Sequence, residues 1–231
     1  MIYLLWATIR PEMMRETYKI WMDKAINPNN IKMKLVVNTE LEKQELSEFN
    51  DITVTNQKYT GTVYPIYCLT TQLEIDDNDL IIVVSDDFYP PDGWDEHLIG
   101  KLKDKCSCYF VNDGYQNPDG DNSGLNKSIT MPVMTFSCLK KLNKILYSLD
   151  YVHFYSDTEL YNNLLALGLL IDDRINDKTI FKHKNWAVGD GRKADKYDSE
   201  YNVFMYQDRH TYIRRESMDV NDRILATKGV W

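Results

Sequence analysis

The chain has 231 residues, 43% hydrophobic and 12% aromatic, enough to bury a core and too apolar for wholesale disorder. With 27 basic and 35 acidic residues its formal net charge is −8, which disfavours a broad electrostatic grip on nucleic acid. No stretch approaches the roughly 18 apolar residues that span a bilayer, and Arg10 follows the apolar opening Met1–Trp6 too soon for a signal peptide.

Ile2–Thr8 reads as an opening strand. Pro11, in a favoured first-turn position, starts a helix running to Ile26, with Met14, Tyr18, Trp21, Met22 and Ala25 on one apolar face. Asn27-Pro28-Asn29-Asn30 breaks it before a second strand, Met33–Val37. Leu41–Phe49 reads as a short polar helix, Ile52–Thr55 as a short strand, and Tyr64–Leu73 as a helix with Pro65 in its first turn. Leu80–Val84 is an unbroken apolar, mostly β-branched run, as expected of a strand buried on both faces. Asp92 is a candidate cap for a helix from Gly93 to Lys103, with Trp94, Leu98 and Leu102 on one face. Cys106–Val111 and Ile129–Thr135 read as strands around a Gly-, Asn- and Asp-rich loop, and Cys138–Leu149 as a helix. Ser156–Leu167 is a helix ended by Gly168 at the C′ position. Leu169–Asp172 and Thr179–Phe181 are short strands, and Glu200–Arg215 is a last helix. The alternation predicts an α/β domain with a mainly parallel sheet whose second half is mixed.

The four cysteines, Cys68, Cys106, Cys108 and Cys138, lack the spacing of a zinc site and suit a reduced, cytoplasmic compartment. Cys106 and Cys108, two apart on one strand, share a face and read as packing residues.

Candidate chemistry begins at Ser85-Asp86-Asp87, where the apolar run ends in two carboxylates. In open α/β sheets the carboxyl ends of strands carry ligands, and paired acids there suit a hard divalent cation able to clamp a diphosphate. Acids after a strand also serve as turn residues beside a helix start. In Ser156-Asp157-Thr158-Glu159, Ser156 and Glu159 make a capping box. That leaves Asp157 free to act as a general base from a helix start, with Glu159 as second choice. His183 follows a short apolar strand and can project from its end, whereas His97, His153 and His210 sit in helical or aromatic contexts that suggest no role. Asp119–Gly124 imitates the opening of a calcium loop, but Thr130 stands at the twelfth position where a Glu is needed, so an EF-hand is rejected. Asn126-Lys127-Ser128 matches a glycosylation triplet without any sign of secretion. Arg192, Lys193 and Lys196 form a small basic cluster that could close over a phosphate.

Taken together these segments resemble a GT-A fold glycosyltransferase, in the style of the inverting family 2 enzymes. The resemblance rests on Ala7-Thr8-Ile9-Arg10-Pro11, Val36-Val37-Asn38, Ser85-Asp86-Asp87, Pro91-Asp92-Gly93-Trp94, Ser156-Asp157-Thr158-Glu159-Leu160 and His183, in the family's order over about residues 1 to 190. The compact size and opening sequence are similar to those of small virus- or phage-encoded members, which would work in the host cytoplasm.

The resemblance implies one GT-A domain with three parts: a nucleotide-sugar-binding half (1–100), an acceptor and catalytic half (101–190), and a C-terminal loop and helix (191–231). It implies Asp87 and His183 as ligands of Mn²⁺ or Mg²⁺, and Asp157 as the base. Thr8, Arg10 and Asn38 would surround the nucleoside, most often uridine, with Ser85, Asp86, Trp94, Arg192 and Lys193 completing the donor site. An acceptor glycan or other hydroxyl compound would be the second substrate. Two departures stand out: the metal motif usually opens with an acid where this chain has Ser85, and Asn38 replaces the usual acid after the second strand.

Three other readings compete. A nucleotidyltransferase would want a Gly-rich phosphate loop after the first strand, and residues 7–11 contain no glycine. A GT-A scaffold that binds nucleotide or glycan without transfer is the second. Transfer to modified DNA is the third, for which only a strip of Arg192–Lys196 with Arg209, Arg214 and Arg215 would serve.

Overall fold

A computed structural model describes residues 1–56, 61–114, 127–184, 193–194 and 202–225. Its strands are β1 (Ile2–Ala7), β2 (Ile31–Val37), β3 (Ile52–Val54), β4 (Leu80–Val84), β5 (Phe88–Tyr89), β6 (Cys108–Phe110), β7 (Pro132–Thr135), β8 (Leu170–Asp172) and β9 (Lys182–His183). The helices are α1 (Pro11–Asp23), α2 (Glu40–Glu45), α3 (Val63–Thr71), α4 (Trp94–Leu102), α5 (Phe136–Lys141), α6 (Ser156–Ala166), α7 (Met205–Glu216) and α8 (Val220–Leu225).

Seven strands form one sheet in the order β3-β2-β1-β4-β7-β6-β8. β1 pairs in parallel with β2 and β4, β2 with β3, and β6 with β8, while β7 runs antiparallel to both its neighbours. The chain therefore moves outward from β1 to β3, then returns to β4 on the other side of β1. Such a reversal leaves a crevice at the strands' carboxyl ends.

Strand alternation sends side chains to two separate cores. Tyr3 and Leu5 of β1 and Ile81 and Val83 of β4 pack with Ile66 and Leu69 of α3, Leu139 of α5, and Leu160 and Leu164 of α6. On the opposite face Leu4, Trp6, Ile82 and Val84 meet Met14 and Trp21 of α1 and Trp94, Leu98 and Leu102 of α4. Each side chain so enclosed contributes roughly 1.5–3 kcal/mol of transfer free energy. The apolar run of β4 is thus buried on both faces, as its composition predicts.

Four local expectations need correction. Asp92 does not cap α4: the cap is Gly93 in the left-handed region (φ 69°), and Asp92 is exposed beside Lys24 at 3.4 Å. Ser156 does not cap α6 either, because Tyr155 occupies that position with φ 63° and Ser156 is the first helical residue. The helix expected over Cys138–Leu149 ends at Lys141, since Asn143 and Lys144 both turn left-handed (φ 54° and 60°). The strand expected at Thr179–Phe181 is instead a single bridge from Ile180 to Asn112, and Lys182–His183 pairs with β5 as a separate two-stranded sheet.

Candidate active site

A cleft of about 380 Å³ opens at the carboxyl ends of β1, β2 and β4 and is closed on its far side by the start of α6. At its floor, Asp86 is 4% exposed. Trp6 Nε1 donates to its Oδ1 at 2.7 Å and Thr8 Oγ1 to its Oδ2 at 2.8 Å, while Thr17 Oγ1 donates to its backbone oxygen at 2.6 Å. Burial pushes the Asp86 carboxyl up to about 7, against those hydrogen bonds and the charge of Arg10. Asp86 thereby ties the ends of β1 and β4 together and fixes the direction of the residue that follows.

Asp87 is turned to different partners. Ser85 Oγ donates to its Oδ1 at 2.6 Å, and His183 Nε2 lies 3.5 Å from the same oxygen. The β5–β9 ladder sets Phe88 opposite His183, and the two rings stack at 4.0 Å and 14°. On the other side of the imidazole, His183 Nδ1 is 4.0 Å from Asp113 Oδ2, and the Asp113 carbonyl accepts the His183 amide at 3.2 Å. His183 is therefore held between two carboxylates.

Asp157 closes the cleft from the first turn of α6. Its Oδ1 accepts the Thr158 amide at 2.8 Å, and burial raises its carboxyl above the ordinary value, against that bond and the nearby His183. With Ser156 inside the helix, its hydroxyl donates back to the His153 carbonyl at 3.3 Å.

Of the residues named from sequence, Thr8, Arg10, Asn38, Ser85, Asp86, Asp87, Asp157 and His183 come together as lining of this one cleft. Two do not. Trp94 is fully enclosed in the α1–α4 core, its indole N–H donating to the Trp21 carbonyl at 2.8 Å, so it cannot touch a donor. Glu159 faces away from the cleft into a buried network, where Arg215 bonds both its oxygens (2.8 and 2.9 Å) and Tyr151 donates at 2.8 Å. Arg192 lies outside the described residues, and Lys193 is exposed and not among the lining residues.

Sequence reasoning missed Thr62, Tyr147, His153 and Tyr155, all of which line the cleft; Thr62 Oγ1 and His153 Nδ1 are 2.9 Å apart. The aromatic neighbours of His153, which in the sequence suggest no role, are the cleft wall itself. Asp113 was also missed, although it follows a buried strand as Asp86 and Asp87 do, and that shared pattern was the available signal.

No family model and no curated protein matches the sequence. Solved structures do match. TarS of S. aureus, in complex with UDP-GlcNAc, superposes with a TM-score of 0.62 at 12% identity, over 97% of this chain and 70% of that one. A mannosyltransferase from Pyrobaculum calidifontis, in complex with GDP-Man and Mn²⁺, gives 0.61 at 11% identity, over 92% of this chain and 64% of that one. The chain has the GT-A glycosyltransferase fold. Glucosyl-3-phosphoglycerate synthase from Mycobacterium tuberculosis, in complex with Mn²⁺, UDP and phosphoglyceric acid, shares this GT-A architecture less closely. Its TM-score is 0.54 at 10% identity, over 92% of this chain and 78% of that one. At such identities the likeness establishes architecture, and chemistry has to be argued from the cleft.

Proposed function

We propose that this chain is a metal-dependent glycosyltransferase. It moves a hexosyl group from a nucleoside-diphosphate donor to an acceptor hydroxyl, with inversion at the anomeric carbon. The observation that carries the reading is the meeting of Asp87, His183 and Asp157 in one cleft at the sheet's switch point. UDP is the favoured nucleotide, because two of the three superposed enzymes were seen with UDP or a UDP-sugar. Thr8, Arg10 and Asn38, at the ends of β1 and β2, are the residues available to the nucleoside.

The residues present suit a divalent cation. Asp87 offers a hard carboxylate and His183 an imidazole nitrogen 3.5 Å away, with both side chains 12% exposed. Among the described residues no group of three or more His, Cys, Asp or Glu side chains could hold a metal alone. Mg²⁺ and Mn²⁺ sites of this kind take one or two protein ligands and complete their shell with substrate phosphates and water. When bound, the cation supplies Lewis-acid neutralisation of the leaving diphosphate.

The protein's own part falls to Asp157. Its raised proton affinity is in the direction a general base needs. The acceptor oxygen bonds to the anomeric carbon as its proton passes to the Asp157 carboxylate. The bond from that carbon to the donor phosphate oxygen breaks, and its electron pair leaves with the diphosphate. Asp86 holds the β1–β4 junction rigid, and Ser85 orients Asp87.

Nucleotide release from a panel of UDP- and GDP-sugars, with Mn²⁺ or with chelator, tests the proposal. At least one donor is expected to be hydrolysed slowly, and only with metal. Donor binding without any release would make the chain a non-catalytic binding module.

A further inference from the structure

We propose that Asp208, on helix α7, is a positioning residue for the candidate base: it anchors the loop that delivers Asp157 to the cleft. The inference rests on the transferase reading, but one arm of its test does not. Asp208 is fully enclosed, and its carboxylate accepts three consecutive backbone amides: Val152 at 3.0 Å, and His153 and Phe154 at 2.8 Å each. Burial raises its carboxyl, and the three amides oppose that rise. Successive N–H groups converging on one anion form a nest, a rigid arrangement that holds its backbone in a single shape.

That shape leads directly into the site. His153 and Phe154, two residues of the nest, line the cleft. Tyr155 follows in a left-handed conformation (φ 63°, ψ −7°), which a residue with a Cβ adopts at a cost and keeps only when its surroundings enforce it. α6 starts one residue later, with Asp157 second in it.

The same face of α7 supplies two more holds. Tyr212, one turn beyond Asp208, stacks on Tyr155 with centroids 5.5 Å apart at 25°. Arg215, a further turn on, bonds Asp150 at 2.8 Å and Glu159 at 2.8 and 2.9 Å, bracketing the loop before and after the nest. The backbone angle at Tyr155 and the start of α6 are therefore set by a helix some fifty residues further along the chain.

Asp208→Asn separates anchoring from packing, because asparagine fills the same space but turns an amide N–H toward amide donors. Hydrogen exchange over residues 150–157, calorimetric donor affinity with Mn²⁺, and kcat for nucleotide release are the three readouts. The amides of 152–154 are expected to exchange faster and kcat to fall about 100-fold, the loss expected from a displaced catalytic group. Donor affinity stays at the wild-type value. If the Asn variant does not fold, Asp208→Glu serves the same comparison, since it keeps the charge and displaces it by one methylene; it too should lower kcat and leave donor affinity unchanged. Wild-type kcat in either variant, unchanged exchange, or equal losses of affinity and kcat would overturn the inference. A wild-type protein that releases nucleotide from no donor removes the transferase reading and the catalytic half of this one together. Unchanged exchange in a protein that does release nucleotide overturns this inference and leaves the transferase reading standing.

Discussion

At the tip of β4 two adjacent carboxylates face different surroundings: Asp86 is enclosed by Trp6 and Thr8, while Asp87 meets Ser85 and His183. The first is disfavoured as an anion, so its carboxyl is pushed up to about 7 from an ordinary value near 3.8. A carboxyl raised on folding contributes stability that is fully present below its unfolded pKa and is lost as pH rises through the folded one. In metal-free protein the melting temperature should therefore fall between about pH 5 and about pH 8. Asp86→Asn, a neutral isostere, should flatten that slope. Melts in chelator at both pH values check this, and an undiminished slope in the variant would contradict it. Asp157 makes a kinetic prediction at the same scale. Asp157→Asn should lower kcat by about 10²–10⁴ with donor affinity retained, read from nucleotide release and calorimetry. Normal turnover would remove Asp157 from the role of base.

Helix α4 shows how an element can be read correctly while one of its residues is misassigned. The Trp94, Leu98 and Leu102 spacing did predict an apolar face, and that face is where the indole belongs. Its N–H bond to the Trp21 carbonyl is core structure. Trp94→Phe leaves that carbonyl unpaired and should destabilise the fold by about 1–3 kcal/mol without altering donor affinity. Denaturant titration and calorimetry separate the two, and weakened donor binding at unchanged stability would restore Trp94 to the site. Helix α6 carries the opposite lesson. Ser156 and Glu159 have the spacing of a capping box, yet Arg215 draws Glu159 inward and Tyr155 takes the cap position. Local spacing records what a segment can do alone; a buried ion pair from another element overrides it.

For the whole molecule, the sheet was legible because its signals are local and repeated. β1 and β4 are apolar runs and β2 closes on one, Leu35-Val36-Val37, each followed by a polar turn, and Pro11 and Gly168 mark helix boundaries at the positions their backbones favour. Asp86 and Asp87 were legible as cleft residues for the same reason, since both follow β4. What stayed hidden depends on long-range contact. His153 becomes cleft wall only through the fold of residues 150–155, and Asp208 looks in sequence like any acid in a polar helix. The small β5–β9 sheet, which sets His183 beside Asp87, joins segments nearly a hundred residues apart.

Calorimetric titration of UDP into wild-type protein and Asp87→Ala, each with Mn²⁺ and with chelator, shows whether Asp87 holds a cation that grips the diphosphate. Mn²⁺ should tighten UDP binding to the wild type by at least about tenfold, or about 1.4 kcal/mol, and the variant should lose that gain. Equal UDP affinity with and without metal in the wild type would contradict the account.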